Sequence, residues 1–359
     1  MTELLVGTKK GLFALRGEPG GTFSVGARAF AGEPVEYALR DTRSGRVVAS
    51  VTSPFYGPKI FYADDLSGEW KQADGVELPP GGDAALERIW TIVPGEAEGT
   101  LYAGGDPGVL FASTDGGASW ELNRGLWEHP TRPKWQPGGG GLCLHSIVTW
   151  PGDPSKLAAA ISAAGVWLSD DGGETWRKGN DGLVPNYLPE DVPDDEIGLC
   201  VHRLHRAPAR PERMFLQFHG GVYRSDDAGS SWTSIADGLP SDFGFPLAID
   251  PADPDSAFVI PLTGDTDRVT PDARVRVYET RDGGASWTPR GDGLPQENAY
   301  LTVLREAFDW TGSGDELELY FGATSGDVFG SGDAGSTWAE AAQRLPPVYS
   351  VTAGPGSAS

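Results

Sequence analysis

Short runs of alternating apolar and polar residues recur along this chain of 359 residues, and turns rich in glycine and aspartate separate them. In one unit the runs cover residues 88–93, 100–103 and 108–113, and a fourth run starts at Trp120. Alternation with a period of two predicts β-strands, and four short strands in succession predict an antiparallel sheet. The 51 glycines and 29 prolines also favour short strands and turns over long helices.

A polar phrase follows the third strand of these units, and its clearest copy is Ser-Asp-Asp-Gly-Gly-Glu-Thr-Trp at residues 169–176. A weaker copy ends at Trp70, and Phe23 stands in the position of the tryptophan near the start of the chain. A spacing of about fifty residues between copies indicates a repeat architecture. The other full copies end at Trp120, Trp232, Trp287 and Trp338.

Each phrase has the composition of a tight hairpin. In the clearest copy, the hydroxyl of Ser169 and the carboxylate of Asp171 can hydrogen-bond the backbone of the turn. Gly173 is free to take a positive φ, and Trp176 can cover the turn and enter the core. We therefore predict that the phrase stabilises the fold and takes no part in chemistry.

The repeats predict an all-β fold, a seven-bladed β-propeller formed as a single domain by residues 1–359. The C-terminal run at 347–351 resembles one more first strand, while residues 4–7 and 11–15 resemble second and third strands. We expect the two ends of the chain to share one blade and so to close the ring. The other predicted first strands begin near Glu36, Arg88, His145, His202, Pro246 and Tyr300.

Long connections are predicted on one face of the disc, opposite the hairpin phrases. They join the fourth strand of one blade to the first strand of the next, and loops of this length are often functional. We expect a site on this loop-rich face. The connections cover residues 123–142, 180–199 with its acidic residues at 191 and 194–196, 237–245 and 290–299.

Both cysteines of the chain occur in a Cys-x-His pattern, and we expect these pairs to meet at the mouth of the central channel. Three interpretations stay open: one transition metal (zinc, copper or iron), a cysteine nucleophile with a histidine base, or buried cysteines packed beside hydrogen-bonded histidines. A further histidine is predicted in the same sector. The candidate metal ligands are Cys143, His145, Cys200, His202 and His219.

Other side chains near the predicted mouth are candidates for catalysis or substrate binding. Glu36 and Glu87 begin first strands and could act as acid or base, with Arg88 beside them. Solvated glutamates, ordinary ion pairs and loop packing are the alternative explanations. The substrate-binding candidates are Trp90, Trp135, Phe245, Tyr300 and Arg305.

The chain is strongly acidic, with a formal net charge of −23 and a pI near 4.5. Repulsion from phosphate groups argues against nucleic acids and anionic membranes as partners. Two cysteines do not form a disulfide framework, and the first residues show no basic and apolar leader pattern. We therefore expect a cytoplasmic protein.

The hairpin phrase resembles the Asp-box, or bacterial neuraminidase repeat (BNR), and the chain is similar to sialidase-like and glycosyl-hydrolase-like repeat proteins. Sialidases, two-propeller xyloglucanases, sortilin-like receptors and the photosystem II assembly factor share this repeat. True sialidases carry an Arg-Ile-Pro motif and an arginine triad. The nearest sequence here is Arg88-Ile89-Trp90, in the third unit, and no triad can be assigned. We therefore do not expect exo-sialidase activity.

These observations favour an enzyme that acts on a small polar or glycan-like molecule at the channel mouth, assisted by a metal in the Cys/His cluster. Two alternatives stay open. One is a non-catalytic scaffold that binds a protein partner on the loop-rich face. The other is a metal-independent glycoside hydrolase, which needs two carboxylates facing each other across the channel.

Overall fold

A computed structural model describes residues 1–81, 84–185 and 198–356. The acidic residues at 191 and 194–196 lie outside this described part. Within it, no helix is long and apolar enough to cross a membrane. The helical segments are the α-helix α1 (Arg124–Trp127) and three 3-10 turns, Arg132–Lys134, Pro271–Ala273 and Gly314–Glu316.

Strands dominate the described part of the chain, and most contain the apolar alternation seen in the sequence. In chain order they are β1 (Thr2–Thr8), β2 (Gly11–Gly17), β3 (Ser24–Ala29), β4 (Val35–Arg40), β5 (Val47–Ser53), β6 (Gly57–Ala63), β7 (Lys71–Gln72), β8 (Arg88–Pro94), β9 (Leu101–Asp106), β10 (Val109–Ser113), β11 (Glu121–Leu122), β12 (Leu144–Trp150), β13 (Asp153–Ile161), β14 (Gly165–Ser169), β15 (Arg177–Lys178), β16 (Val201–Arg206), β17 (Met214–Phe218), β18 (Gly221–Ser225), β19 (Thr233–Ser234), β20 (Gly244–Asp250), β21 (Asp253–Pro261), β22 (Val277–Thr280), β23 (Thr288–Arg290), β24 (Val303–Thr311), β25 (Glu318–Ala323), β26 (Val328–Ser331), β27 (Ala339–Ala342) and β28 (Val348–Pro355).

Five sheets contain four consecutive antiparallel strands each, namely β4–β7, β8–β11, β12–β15, β16–β19 and β20–β23. A sixth sheet has eight strands in the order β27-β26-β25-β24-β28-β1-β2-β3. In that sheet β24 and β28 are joined by one parallel bridge, Glu306 to Ser350, whereas β28 pairs with β1 over the whole length of β1. This all-β arrangement is consistent with the predicted β-propeller.

The predicted strand order is confirmed, and one predicted start needs correction. The first strands near Glu36, Arg88, His145, His202 and Pro246 are β4, β8, β12, β16 and β20. The strand expected near Tyr300 begins only at Val303. The backbone just before it bonds to neighbouring loops instead of to the sheet, through Ala299 N to Ala273 O and Thr270 N to Leu301 O.

The hairpin phrase closes the turn as predicted. In the clearest copy, Ser169 Oγ donates to Asp171 Oδ1 at 2.8 Å, and Gly173 N donates to Ser169 Oγ at 2.8 Å. Thr175 N donates to the same carboxylate at 2.9 Å, and Gly173 has a φ of 93°. The other four full copies repeat these three bonds between the equivalent residues.

The tryptophan of each hairpin lies at the boundary between sheets. Trp232 Nε1 donates to Gly179 O at 2.8 Å and Trp287 Nε1 to Ile235 O at 2.7 Å, and both acceptors belong to the preceding unit. All five tryptophans of the full copies are buried. The core likewise lies between neighbouring sheets, where Ile60 of one sheet and Phe111 of the next belong to one apolar cluster.

We expect Asp171→Asn to destabilise the protein at neutral pH. Hydrogen bonds from the side chain and backbone of Thr175, and from Ser169, lower the pKa of Asp171 from its ordinary value of 3.8 to about 2. A carboxylate with a lowered pKa in the folded state stabilises the fold above the unfolded-state value, and this contribution is lost as the pH falls through the folded-state value. The difference in urea midpoint between wild type and variant should therefore shrink between about pH 4 and about pH 2.

Glu174→Gln is the matched control, because Glu174 lies in the same turn and is exposed. It should leave the urea midpoint unchanged. A midpoint difference for Asp171→Asn that stays constant across this pH range would contradict the assigned role of the carboxylate.

Candidate functional site

The first strand of each sheet has a β-bulge near its beginning. In β4, Val35 pairs with Val51 and Tyr37 with Ser50, so Glu36 is an extra residue without a partner in the ladder. A bulge interrupts the alternation of side chains and redirects the extra one. The equivalent extra residues are Trp90 in β8, His145 in β12, His202 in β16 and Tyr349 in β28.

Two bulges are larger or longer. In β20, Phe245 and Pro246 together lie opposite Ile260. In β24, residues 304–307 lie between the pairs Val303 to Ala323 and Phe308 to Phe321. The first strands of neighbouring sheets contact one another, so these irregular segments come together.

Side chains from the bulges meet at one cavity of about 380 Å³. Of the predicted site residues, Glu36, Arg88, Trp90, Phe245 and Arg305 line it. The remaining lining residues were not predicted as site residues, and they are Gly139, Gly140, Arg268, Leu304, Glu306 and Tyr349.

Three predicted residues are elsewhere. Glu87 is exposed and does not line the cavity. Trp135 is buried, with its ring centroid 4.8 Å from that of Trp167, so it packs the loop 123–142. Tyr300 is 64% exposed and borders a separate hollow near Pro295.

Glu36 is one of two carboxylic acids that line the cavity. Its carboxylate is buried, and Oε1 lies 3.5 Å from Arg88 Nε. Burial raises the pKa of Glu36, and the charge of Arg88 opposes this effect. A carboxyl group with a raised pKa in a cleft is suited to proton transfer.

Cys200, His202 and His219 form a cluster beside the cavity. One potential ligand atom from each residue lies within 4.8 Å of the others. His202 Nδ1 lies 2.6 Å from Gly244 O, and because a carbonyl only accepts, Nδ1 carries the proton and Nε2 keeps its lone pair. One thiolate and two imidazoles suit zinc or copper, and three protein ligands leave a fourth position open.

The structure does not bring Cys143 and His145 into this cluster. Cys143 Sγ donates to Gly140 O at 3.0 Å. His145 Nε2 donates to Val201 O at 2.8 Å, and Nδ1 accepts from Ser146 Oγ at 3.0 Å, so neither nitrogen keeps a lone pair for a metal. The bulge at His145 breaks the alternation on which the predicted convergence of both pairs depended.

Burial also changes the pKa of both cysteine thiols. It raises the pKa of Cys143, with the carboxylate of Asp106 adding to the effect, and it raises the pKa of Cys200 against the charge of Arg305. A thiol with a raised pKa carries little thiolate at neutral pH. This disfavours the cysteine nucleophile among the three interpretations.

A buried ion pair lies between this cavity and a second one. Glu306 lines the cavity at the loop-rich mouth, and its partner Arg203 lines a second cavity of about 280 Å³ that also involves His205 and Asp309. Burial raises the pKa of Glu306 to about 7, with Arg203 opposing, and that of Asp309 to about 6. The pair therefore lies between the two cavities.

Some of the missed residues left a signal in the sequence. Tyr349 occupies the bulge position of β28, which is equivalent to the position of Glu36 in β4. Glu306 directly follows Arg305, which is a predicted substrate-binding residue. Residues 138–141 are four consecutive glycines, and they form a tight hairpin. Gly138 and Gly141 exchange backbone hydrogen bonds of 3.2 and 3.0 Å. Only Arg268 comes from a loop without a recognisable pattern.

The BNR/Asp-box repeat family matches residues 167–178, which contain the clearest copy of the hairpin phrase. The chain thus contains a BNR/Asp-box repeat. An oligoxyloglucan-reducing end-specific xyloglucanase from Emericella nidulans is 23% identical over 256 residues, covering 65% of this chain and 25% of the relative. The chain thus spans about a quarter of the length of that relative.

Solved structures with a similar fold are BNR-type β-propellers. An ancestral GH74 enzyme matches with a TM-score of 0.57 and 18% identity, over 88% of this chain and 37% of that one. A GH74 enzyme from Niastella koreensis matches with 0.50 and 13%, over 96% and 67%. YCF48 from Cyanidioschyzon merolae matches with 0.51 and 12%, over 85% and 84%. At these identities the likeness establishes the fold alone.

We expect both thiols to react slowly with Ellman's reagent at about pH 8, compared with the urea-unfolded chain, because each has a raised pKa. The Cys143→Ser and Cys200→Ser variants assign the two rates, and chelator treatment removes any protection by bound metal. A thiol that reacts below pH 7 as fast as free cysteine would restore the nucleophile interpretation.

Proposed function

We propose that this protein is a single-domain, seven-bladed β-propeller with an active site for a small polar or glycan-like molecule at its loop-rich mouth. The seven blades are the five four-stranded sheets and the two halves of the eight-stranded sheet, which meet at one bridge. Contacts between first strands run from β4 through β8, β12, β16, β20 and β24 to β28, and β28 contacts β4. This cycle supports a ring closed by both ends of the chain.

The observation that carries the proposal is the convergence of bulged residues on one cavity. Glu36 offers a buried carboxyl group for proton transfer, while Trp90 and Phe245 supply apolar walls. Its volume of about 380 Å³ falls within the usual range of small-molecule pockets, which is about 300–1,000 Å³. The xyloglucanase name of the Emericella relative favours a glycan-like substrate.

We further propose that Cys200, His202 and His219 hold one transition metal beside this cavity. The ring of Phe245, which lines the cavity, lies 4.8 Å from the ring of His202, so the two sites share a wall. A metal with an open position lowers the pKa of bound water or polarises a substrate oxygen. Glu36 would then move a proton within the same cavity.

Elemental analysis of protein produced without a histidine tag tests the metal site. We expect about one zinc, copper or iron per chain. The metal should be lost in Cys200→Ser and retained in Cys143→Ser, because only Cys200 belongs to the cluster. Metal-free wild type that also fails to bind added metal would overturn the metal site and favour the metal-independent hydrolase, with Glu36 and Glu306 as its carboxylates.

Hydrolysis of xyloglucan oligosaccharides and of p-nitrophenyl glycosides tests the catalytic role of Glu36. We expect Glu36→Gln to lower kcat by about 10²–10⁴-fold, because the amide cannot transfer a proton. Glu87→Gln is the control, since Glu87 is exposed and outside the cavity. Equal turnover by both variants would remove Glu36 from the mechanism.

The partner-binding scaffold has one observation in its favour. Phe55 and Tyr56 lie in the turn between β5 and β6 and are 85% and 81% exposed. Adjacent exposed aromatic residues are typical of protein-binding sites. Absence of turnover, together with a protein partner that is lost in the Phe55→Ser/Tyr56→Ser variant, would favour the scaffold.

A further inference from the structure

Two buried donors at the mouth of the channel have no acceptor among the described residues. They are Trp90 Nε1 and Arg305 Nε. Arg305 is only 9% exposed, and its Nε has no hydrogen-bond partner among the described residues. An unsatisfied buried donor costs about 1–3 kcal/mol, and more for a charged group, so its presence calls for an explanation.

The guanidinium of Arg305 is held between two aromatic rings. Its Cζ lies 4.7 Å from the ring centroid of Phe245 and 5.7 Å from that of Trp90. Arg268 lies 5.3 Å from the ring of Phe245, and Arg88 lies 4.8 Å from the ring of Trp90. Cation–π contacts thus arrange three guanidinium groups along one wall of the cavity.

The two carboxylates that line the cavity form ion pairs with other arginines. Glu36 pairs with Arg88, and Glu306 pairs with Arg203 on its other side. Within the described residues, neither Arg268 nor Arg305 forms an ion pair with a carboxylate. Three arginines and two glutamates line the cavity, so its lining carries a net positive formal charge in an acidic chain.

We propose that the cavity binds a small organic anion, whose carboxylate or phosphate oxygens accept hydrogen bonds from Arg305 and Trp90. This inference rests on the proposed function, because it takes the cavity as the ligand site, and it names the chemical class of the ligand. A guanidinium presents paired donors that match the oxygens of a carboxylate or phosphate. Arg268, which is exposed at the rim, adds long-range attraction.

Calorimetric titration with three molecules that share one ring tests the inference: D-glucose, D-glucuronate and D-glucose 6-phosphate. We expect wild type to bind at least one of the two anions, and to bind neutral glucose at least about tenfold more weakly. The anion with the higher affinity distinguishes carboxylate from phosphate. Equal affinity for glucose and both anions, or no binding of either anion, overturns the inference.

Three variants test whether Arg305 causes the preference for anions over glucose. Arg305→Met should abolish it, and Arg305→Lys should weaken anion binding while retaining some preference, because the ammonium keeps the charge but loses the paired donors. Arg177→Met is the matched control, since Arg177 is an exposed arginine on a hairpin that pairs with Asp170. A preference that survives in Arg305→Met overturns the assignment.

Stability separates a ligand-binding arginine from a structural one. Without ligand, Arg305→Met should unfold at the same or a higher urea concentration than wild type, because it removes a buried charge that forms no ion pair within the described part of the chain. Arg203→Met should unfold at a lower concentration, because it leaves Glu306 buried without its partner. A loss for Arg305→Met as large as that for Arg203→Met would mean that Arg305 supports the fold instead.

These experiments also separate the two proposals. Anion binding that depends on Arg305 in a protein without turnover would support the inference and remove the enzymatic function. Turnover of neutral glycosides that depends on Glu36, together with equal affinity for glucose and glucuronate, would support the enzymatic function and remove the anion-binding inference.

Discussion

The hydrogen bonds that each hairpin aspartate accepts from its own turn are the interaction on which the rest of the structure depends. The carboxylate of Asp171 fixes the turn with three donors, and the turn sets the position of Trp176 at its end. The equivalent Trp232 reaches the preceding unit through its indole N–H. A local turn therefore positions a group that joins neighbouring sheets.

The bulges convert this regular scaffold into a site. Without them, residues two apart in a first strand would share a face and only alternate side chains would reach the channel. The extra residue forms no pair in the ladder, and its side chain points in a direction that regular pairing would not give it. Glu36, Trp90 and Tyr349 reach the same cavity in this way from three different strands. Bulges at equivalent positions of several strands therefore supply side chains to the cavity.

The sequence predicted what is local and missed what depends on distant parts of the chain. Strand order and hairpins followed from period and composition, because each turn is closed by its own residues. The candidate metal ligands were predicted only in part: Cys200, His202 and His219 meet, but Cys143 and His145 do not join them. No pattern of alternating residues reports a bulge, since a bulge is a change of register between two strands. Arg268 belongs to a loop and reaches the cavity only through the fold, so its sequence neighbourhood carried no signal.

Burial and neighbouring positive charge have opposite effects on the pKa of Glu36. Positive charge near Glu36 favours its ionised form, yet burial prevails and raises the pKa of this carboxyl group. Burial also lowers the pKa of Arg305, but an arginine stays protonated at any physiological pH. An anion bound to Arg305 would place negative charge in the cavity that Glu36 also lines, and a nearby negative charge favours the protonated form of a carboxyl group. Binding would therefore raise the pKa of Glu36 further and increase the fraction that carries a proton. A charged ligand would in this way prepare the carboxyl group to act as an acid, without any movement of the scaffold.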